Sequence, residues 1–188
     1  MKKNIFIIFI FFSCLFTSCS APPVDEMDEE GIQSTGPSTK VKIYFTKSSA
    51  PKEIVLVSVI RKIPVDKNEI DSALRELFLG PTKLEMKHHI MTEIPVGTRL
   101  IKVEESDDEI LIDVSSQYLI GGGAASVQLR YLQLYNTLQK AAQGKKFYLN
   151  VDGKTLTTLA GEGLEITQPL TKIEDYTKKY EEADDVQP

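Results

Sequence analysis

His88 and His89 are the only histidines in the chain, and they are adjacent. Neighbours in an extended segment point in opposite directions, so the two rings do not converge on one metal ion. Asp113, Ser115 and Ser116, taken with one of those histidines, hold the residue types of a hydrolytic triad. No glycine-flanked turn shapes either serine into a nucleophile, and the chain has few paired carboxylates in apolar settings where general acid catalysis could be tuned. Gly121-Gly122-Gly123 precedes an apolar helical repeat, where free N–H groups and the helix dipole favour an anion. It has neither the dinucleotide fingerprint nor the lysine of a phosphate loop, and it reads better as a flexible helix entry. Arg61 ends an apolar strand and has two readings: a hold on an anionic ligand, or an ion pair with Asp113 or a helix carboxylate. The expectation is a chain with no catalytic residue, no metal site and no cofactor.

Both cysteines lie near the start, at Cys14 and Cys19. Lys2 and Lys3, the apolar run from Ile5 to Phe12 continuing through Leu15 and Phe16, and then small polar residues have the three-part order of an export signal. Leu15-Phe16-Thr17-Ser18-Cys19 resembles a bacterial lipobox, with Phe16 where leucine is usual. On that reading residues 1–18 are a lipoprotein signal peptide, and Cys19 carries a thioether-linked lipid as the new N-terminus. An uncleaved anchor and a plain secretory signal are the alternatives; Cys14 would leave an apolar core at the short end of the usual range. A lipidated Cys19 leaves the folded part without cysteine, so the fold rests on its core, with no intramolecular disulfide or thiol chemistry. Two or more acyl chains hold firmly where one holds marginally, which places the protein outside the cytoplasm on a bacterial membrane.

The 188 residues are 41% hydrophobic, too apolar for general disorder, and suit one compact domain with appendages. The formal net charge of -5 becomes -7 once Lys2 and Lys3 leave with the signal. That sign, without a clustered basic face, excludes a nucleic-acid binder. Residues 19–39 carry the lipid and then Pro22-Pro23, an acidic run from Asp25 to Glu30, and Gly36-Pro37, a disordered linker that could extend to roughly 65 Å. Residues 40–172 form the domain, and 173–188 an acidic, partly disordered tail with a short helix at its start.

Within the domain, Val41, Ile43 and Phe45 alternate with Lys42 and Tyr44, a half-buried strand, and Ile54–Ile60 is a continuous apolar run suited to a central strand paired with it. Asp66 and Glu69 form a capping box that starts a helix near Lys67. Ile70, Ala73, Leu74, Leu77 and Phe78 gather on its buried face, and Gly80-Pro81 stops it. Lys83–Pro95 reads as a loop. Strands Leu100–Val103 and Ile110–Val114 follow, joined by an acidic turn. A second helix buries Val127, Tyr131, Leu134, Tyr135, Leu138 and Ala142 and closes at Gly144. Phe147–Val151 and Thr155–Leu159 then make a hairpin across Asp152-Gly153. The order ββαββαββ predicts an α+β fold, two amphipathic helices on a mixed, mainly antiparallel sheet.

Several of these pieces, in this order, resemble the GerM-type sporulation and spore germination domain, GerMN: Val57–Arg61 into Ile63, Ala73-Leu74, Leu79-Gly80-Pro81-Thr82, Ile94-Pro95-Val96-Gly97-Thr98, Asp113-Val114-Ser115, Asn136-Thr137-Leu138, Val151-Asp152-Gly153 and Pro169-Leu170-Thr171. The resemblance spans nearly all of residues 40–171. It implies a lipoprotein or other exported envelope protein acting in assembly, with a fold related to ring-building modules of secretion-type channels. This chain has one copy where the founding members have two. The expected function is a non-catalytic, membrane-anchored module that docks with an envelope protein partner, related to sporulation or germination. A lipoprotein that binds a small extracytoplasmic ligand or a glycan is the alternative.

Overall fold

A computed structural model describes residues 37–50, 53–65, 68–142, 144–159, 164–173 and 183–186. The export signal, Cys19 and nearly all of the linker lie outside the described residues.

The first two strands, β1 (Ser38–Ala50) and β2 (Glu53–Pro64), pair antiparallel along their length, with Val41 opposite Arg61 and Phe45 opposite Val57. Both exceed the apolar runs that announce them, and β1 begins inside the expected linker. Val55, Val57 and Val59 alternate along β2 with Leu56 and Ser58, and all five are buried. The strand is therefore covered on both faces, as its unbroken apolar run requires. β1 departs from the half-buried expectation, because Tyr44 and Thr46 are buried as fully as Ile43 and Phe45. A tyrosine has enough apolar ring surface to be buried when its hydroxyl finds a partner.

Helix α1 (Glu69–Leu79) buries Ile70, Ala73, Leu74 and Leu77 as its periodicity predicts. Its cap is Asn68, whose Oδ1 accepts the Asp71 amide at 2.9 Å; Asp66 lies outside the described residues. Gly80 ends the helix at φ 81°, a conformation costly for any residue with a side chain. The expected loop after it folds into a five-residue helix, α2 (Lys83–Lys87), and a short strand, β3 (Ile90–Met91). A complete capping box nucleates α2: Thr82 Oγ1 accepts the Glu85 amide at 3.2 Å, and Glu85 Oε2 accepts the Thr82 amide at 2.7 Å.

Strands β4 (Leu100–Glu105) and β5 (Glu109–Val114) form an antiparallel hairpin. β5 then runs parallel to β6 (Lys146–Val151), with Ile110 beside Phe147 and Ile112 beside Leu149. A parallel pair needs a crossover, and helix α3 (Ala124–Ala141) provides it. The turn Asp152-Gly153 has positive φ at both residues, as a tight hairpin demands. Its return is shorter than expected. β7 (Lys154–Thr155) ends where Leu156 turns into the core, and β8 (Thr158–Leu159) pairs instead with β9 (Leu164–Glu165). In the acidic tail, β10 (Ala183–Val186) pairs parallel to β2.

Two four-stranded sheets result, ordered β10-β2-β1-β3 and β4-β5-β6-β7, where the sequence suggested one. One core unites them. Ile43 and Phe45 from the first sheet, Leu74 and Leu77 from α1, and Ile110, Ile112 and Phe147 from the second all belong to it. α3 is enclosed on nearly every side: beyond the predicted stripe it buries Leu129, Arg130, Leu132, Gln133 and Thr137. The class is α+β, with three helices against mixed, mostly antiparallel strands.

Candidate functional site

The glycine-rich entry to α3 is exposed, but it turns its carbonyls onto the buried Arg130. Gly121 and Gly122 take φ of 67° and 86°, and a Cβ on Gly122 would sit 2.7 Å from Ser126 Oγ and 3.1 Å from Arg130 Nη2. The bend puts carbonyls, rather than N–H groups, at a charged partner. Arg130 donates Nη1 to the Tyr118 carbonyl at 2.7 Å, Nη2 to those of Gly121 and Ile120 at 3.0 and 3.3 Å, and Nε to that of Glu93 at 3.0 Å. Its guanidinium also lies 5.9 Å from the centre of the Tyr118 ring. Burial lowers the Arg130 pKa from its ordinary value, with Tyr118 and the Glu93 carboxylate opposing. Ser126, in the first turn of α3, donates to that carboxylate at 2.5 Å. The anion favoured at a helix entry is thus provided by the chain itself.

Arg61 resolves toward a helix carboxylate. It reaches Glu76 on α1 at 2.6 Å and Glu85 on α2 at 2.7 Å, donates to the Gly80 carbonyl at 3.0 Å, and covers the Phe45 ring at 5.6 Å. One guanidinium joins β2, α1, the helix stop and α2.

The triad residues do not come together. Both oxygens of Asp113 accept the Gly153 amide at 3.0 Å, which fixes the β6–β7 turn beneath β5. Ser115 is buried and its Oγ accepts the Arg99 amide at 3.0 Å; the Ser116 amide donates to Asp152 at 3.3 Å. His88 and His89 stand exposed at the end of α2, where His88 is the cap and His89 takes φ 62°. Among the described residues no cluster of histidine, cysteine and acidic side chains could hold a metal ion.

One open surface among the described residues is the outward face of the second sheet. Ile110, Ile112, Val114, Phe147, Leu149 and Val151 point into the core, so Leu111, Tyr148 and Asn150 point out. They floor a groove of about 410 Å³ rimmed by Glu104, Glu105 and Glu109. Glu104 is paired with Lys102. Hydrogen bonds from Lys145 and Asn68 hold the Glu105 carboxyl below its ordinary range.

Sequence reasoning missed the buried polar residues Arg130, Gln133 and Thr137. Their signal was present: they share one stripe of a helix that is otherwise apolar around that side.

This is an α+β domain with a βαβ crossover beside a long hairpin, its buried polar side chains bonded mainly to backbone. The chain belongs to the Germane family, described as "Sporulation and spore germination", whose model matches residues 42–157. Among solved structures it is similar to the first GerMN domain of the sporulation protein GerM from Bacillus subtilis. Identity there is 16%, 71% of this chain and 98% of that one are covered, and the TM-score is 0.53. The tandem GerMN domains of GerM from Bacillus subtilis give 20% identity, coverage of 62% and 40%, and a TM-score of 0.47. A protein described as "Putative Lipoprotein from Clostridium perfringens" gives 18%, coverage of 66% and 81%, and 0.45. The likeness to the first GerMN domain shows the fold. No curated protein matches the chain.

Proposed function

We propose that the protein is a non-catalytic envelope module, anchored outside the cytoplasm through a lipid on Cys19, whose GerMN domain assembles with a protein partner during sporulation or germination. The observation that carries this reading is the use made of the reactive residue types. Asp113, Ser115, Arg61 and Arg130 are each bonded into the frame, and one surface left open among the described residues is a sheet face. Family membership supports the sporulation setting, and the lipobox-like segment ending at Cys19 supports the anchor. No helix among the described residues is long and apolar enough to cross a membrane.

Growth with a clickable fatty acid, membrane fractionation and in-cell crosslinking test this reading together. The parent chain incorporates the label, stays with membranes and crosslinks to a stoichiometric envelope protein; Cys19→Ala loses the label and the membrane fraction. Unchanged labelling and fractionation in Cys19→Ala would overturn the anchor. The groove over Leu111 and Tyr148 keeps a second reading open, a small ligand or glycan laid on the outer sheet face. A crosslink-free monomer that carries a bound small molecule in native mass spectrometry would favour it.

A further inference from the structure

On the outward face of the second sheet the strand register sets side chains in rows. Leu111 on β5 lies opposite Glu104 on β4 and beside Tyr148 on β6. One row along, Asn150 on β6 lies opposite Thr155 on β7. Positions on such a face repeat about every 6.6 Å along a strand and about every 4.8 Å from one strand to the next. Leu111 and Tyr148 are half-buried and form an apolar floor, and the Tyr148 hydroxyl donates to Glu109 Oε1 at 3.2 Å, which tethers the phenol to the rim. Asn150 and Thr155 stand beside that floor, and their side chains make no hydrogen bond to any described residue. A second groove of about 400 Å³ shares Thr155 with the first and is lined by three more hydroxyl residues, Ser116, Thr157 and Thr158.

Three features narrow the ligand. Strand addition is closed over this floor: β5 and β6 are interior strands, and where β7 runs out the Leu149 backbone is bonded by Gln168. Charge selects little, because Glu104 already has Lys102 and Glu105 already has Lys145. An apolar protein surface laid here would cover the Asn150 amide and the Thr155 hydroxyl without giving them partners. A pyranose ring meets all three conditions. Its C–H face covers Tyr148 and Leu111, and its hydroxyls bond Thr155 and the remaining lone pairs of the Glu109 carboxylate. An acetamido substituent presents one carbonyl and one N–H, the pair that the primary amide of Asn150 answers with its own donor and acceptor.

We propose that the outward face of the second sheet is a binding site for an uncharged oligosaccharide that bears acetamido groups. One ring lies on Tyr148 with its acetamido group at Asn150, and the chain runs over Thr155 into the second groove. The inference rests on the second reading of this groove given above; it is independent of the lipid on Cys19 and leaves a protein partner to another face.

Calorimetric titration of the full chain in detergent with β-1,4-linked tetrasaccharides of N-acetylglucosamine, glucosamine and glucose tests the site. The acetylated tetramer binds, and the other two bind at least about fivefold more weakly. Tyr148→Ala weakens the acetylated tetramer at least about tenfold. Asn150→Ala weakens it about fivefold and removes the preference over the glucose tetramer. Thr155→Val keeps the shape of an exposed residue and weakens it about two- to fivefold. Val96→Ala, at a residue 93% exposed elsewhere, changes nothing. If Tyr148→Ala lowers the urea midpoint, Asn150→Ala and Thr155→Val decide. No heat from the acetylated tetramer up to about 10 mM overturns the site. So does equal or tighter binding of the glucosamine tetramer, which would make charge the attraction, or unchanged binding in Asn150→Ala and Thr155→Val. Failure of the underlying reading is told apart in the chain purified from membranes. A bound molecule other than a saccharide, seen in native mass spectrometry and lost in Tyr148→Ala, keeps the groove a ligand site and overturns the glycan alone. A photocrosslink from position 150 to an envelope protein makes the face a protein interface and overturns both.

Discussion

The side chain of Gln133 on α3 completes the backbone hydrogen bonding of Tyr44 on β1. Its Nε2 donates to the Tyr44 carbonyl at 3.2 Å, while Thr137 Oγ1, one helical turn on, accepts the Tyr44 amide at 3.0 Å. β3 pairs only with Thr46 and Lys47, and Tyr44, two residues back, points its N–H and C=O the same way. The helix takes over the edge where the strand runs out, which keeps a buried edge from being left unpaired. Gln168 does the same for β6: its Oε1 accepts the Leu149 amide at 3.2 Å and its Nε2 donates to the Leu149 carbonyl at 3.0 Å. Two side-chain amides stand in for strands.

Gln133 is fully buried and satisfied at both ends, with Nε2 also donating to Thr92 Oγ1 at 3.1 Å and Oε1 accepting the Glu93 amide at 2.8 Å. Gln133→Leu keeps the volume and orphans the Tyr44 carbonyl and the Glu93 amide, at a cost of about 2–3 kcal/mol. A lowered urea midpoint with an unchanged slope is the expected measurement. An unchanged midpoint would mean that water or a shifted strand replaces these bonds.

Arg61→Met keeps much of the packing over Phe45 but leaves Glu76 and Glu85 without their cation. Their side chains are 31% and 17% exposed, so the loss is intermediate between a surface and a buried pair, about 1–3 kcal/mol. The effect on α2 is more specific. The Met86 and His88 amides, bonded to the Thr82 and Glu85 carbonyls, should exchange with solvent much faster in the variant while core amides of β2 slow or quicken only with global stability. Equal protection of α2 in both proteins would show that the capping box suffices.

The glycines before α3 are not equivalent. Gly123→Ala has open space around the new Cβ and an ordinary φ of -87°, and should cost only about 0.5–1 kcal/mol, the poorer N-cap that alanine makes. Gly122→Ala combines positive φ with the contact to Ser126 and Arg130 described above, and should cost about 1–3 kcal/mol. Adding Ser126→Gly relieves the Ser126 contact but removes the Ser126–Glu93 bond, so the test is a double-mutant cycle: Gly122→Ala should cost less in the Ser126→Gly background than in the parent, the backbone term remaining.

Periodicity made α1, α3 and the strand cores legible, because each buries a regular stripe: Ile70, Ala73, Leu74 and Leu77, or Ile110, Ile112 and Val114. Capping was legible in kind but not in place. Thr82 and Glu85 carry a capping box as plainly as Asp66 and Glu69 do, yet the five residues that follow bury nothing, so no apolar period announces α2. The split into two sheets was illegible for a different reason. It depends on contacts distant in sequence, such as Tyr44 with Gln133 and Leu149 with Gln168, where a polar side chain replaces the strand that local patterning would expect. Arg61 was legible as a charge needing an anion, with Asp113, a helix carboxylate and a ligand all open to it, and the structure gives it Glu76 and Glu85; Arg130 escaped notice because its partners are carbonyls, which every residue has.

Two of the seven tyrosines test this enclosed core directly. Tyr118 and Tyr131 are 0% and 2% exposed, and burial pushes both phenols well above their ordinary value. The Tyr131 hydroxyl also donates to the Thr171 carbonyl at 2.6 Å, a bond that ionisation must surrender. A folded-state pKa above the unfolded one means stabilisation that is complete below the unfolded phenol range near 10 and is lost as pH rises above it. Alkaline titration followed by tyrosinate absorbance should therefore leave at least these two phenols silent until the chain unfolds, and the denaturation midpoint should fall steadily above about pH 10. Tyr131→Phe keeps the ring, forfeits the Thr171 bond at about 1 kcal/mol near neutrality, and should flatten the alkaline decline by one group's share. If all seven phenols titrate together in the folded protein, α3 is not enclosed between the two sheets.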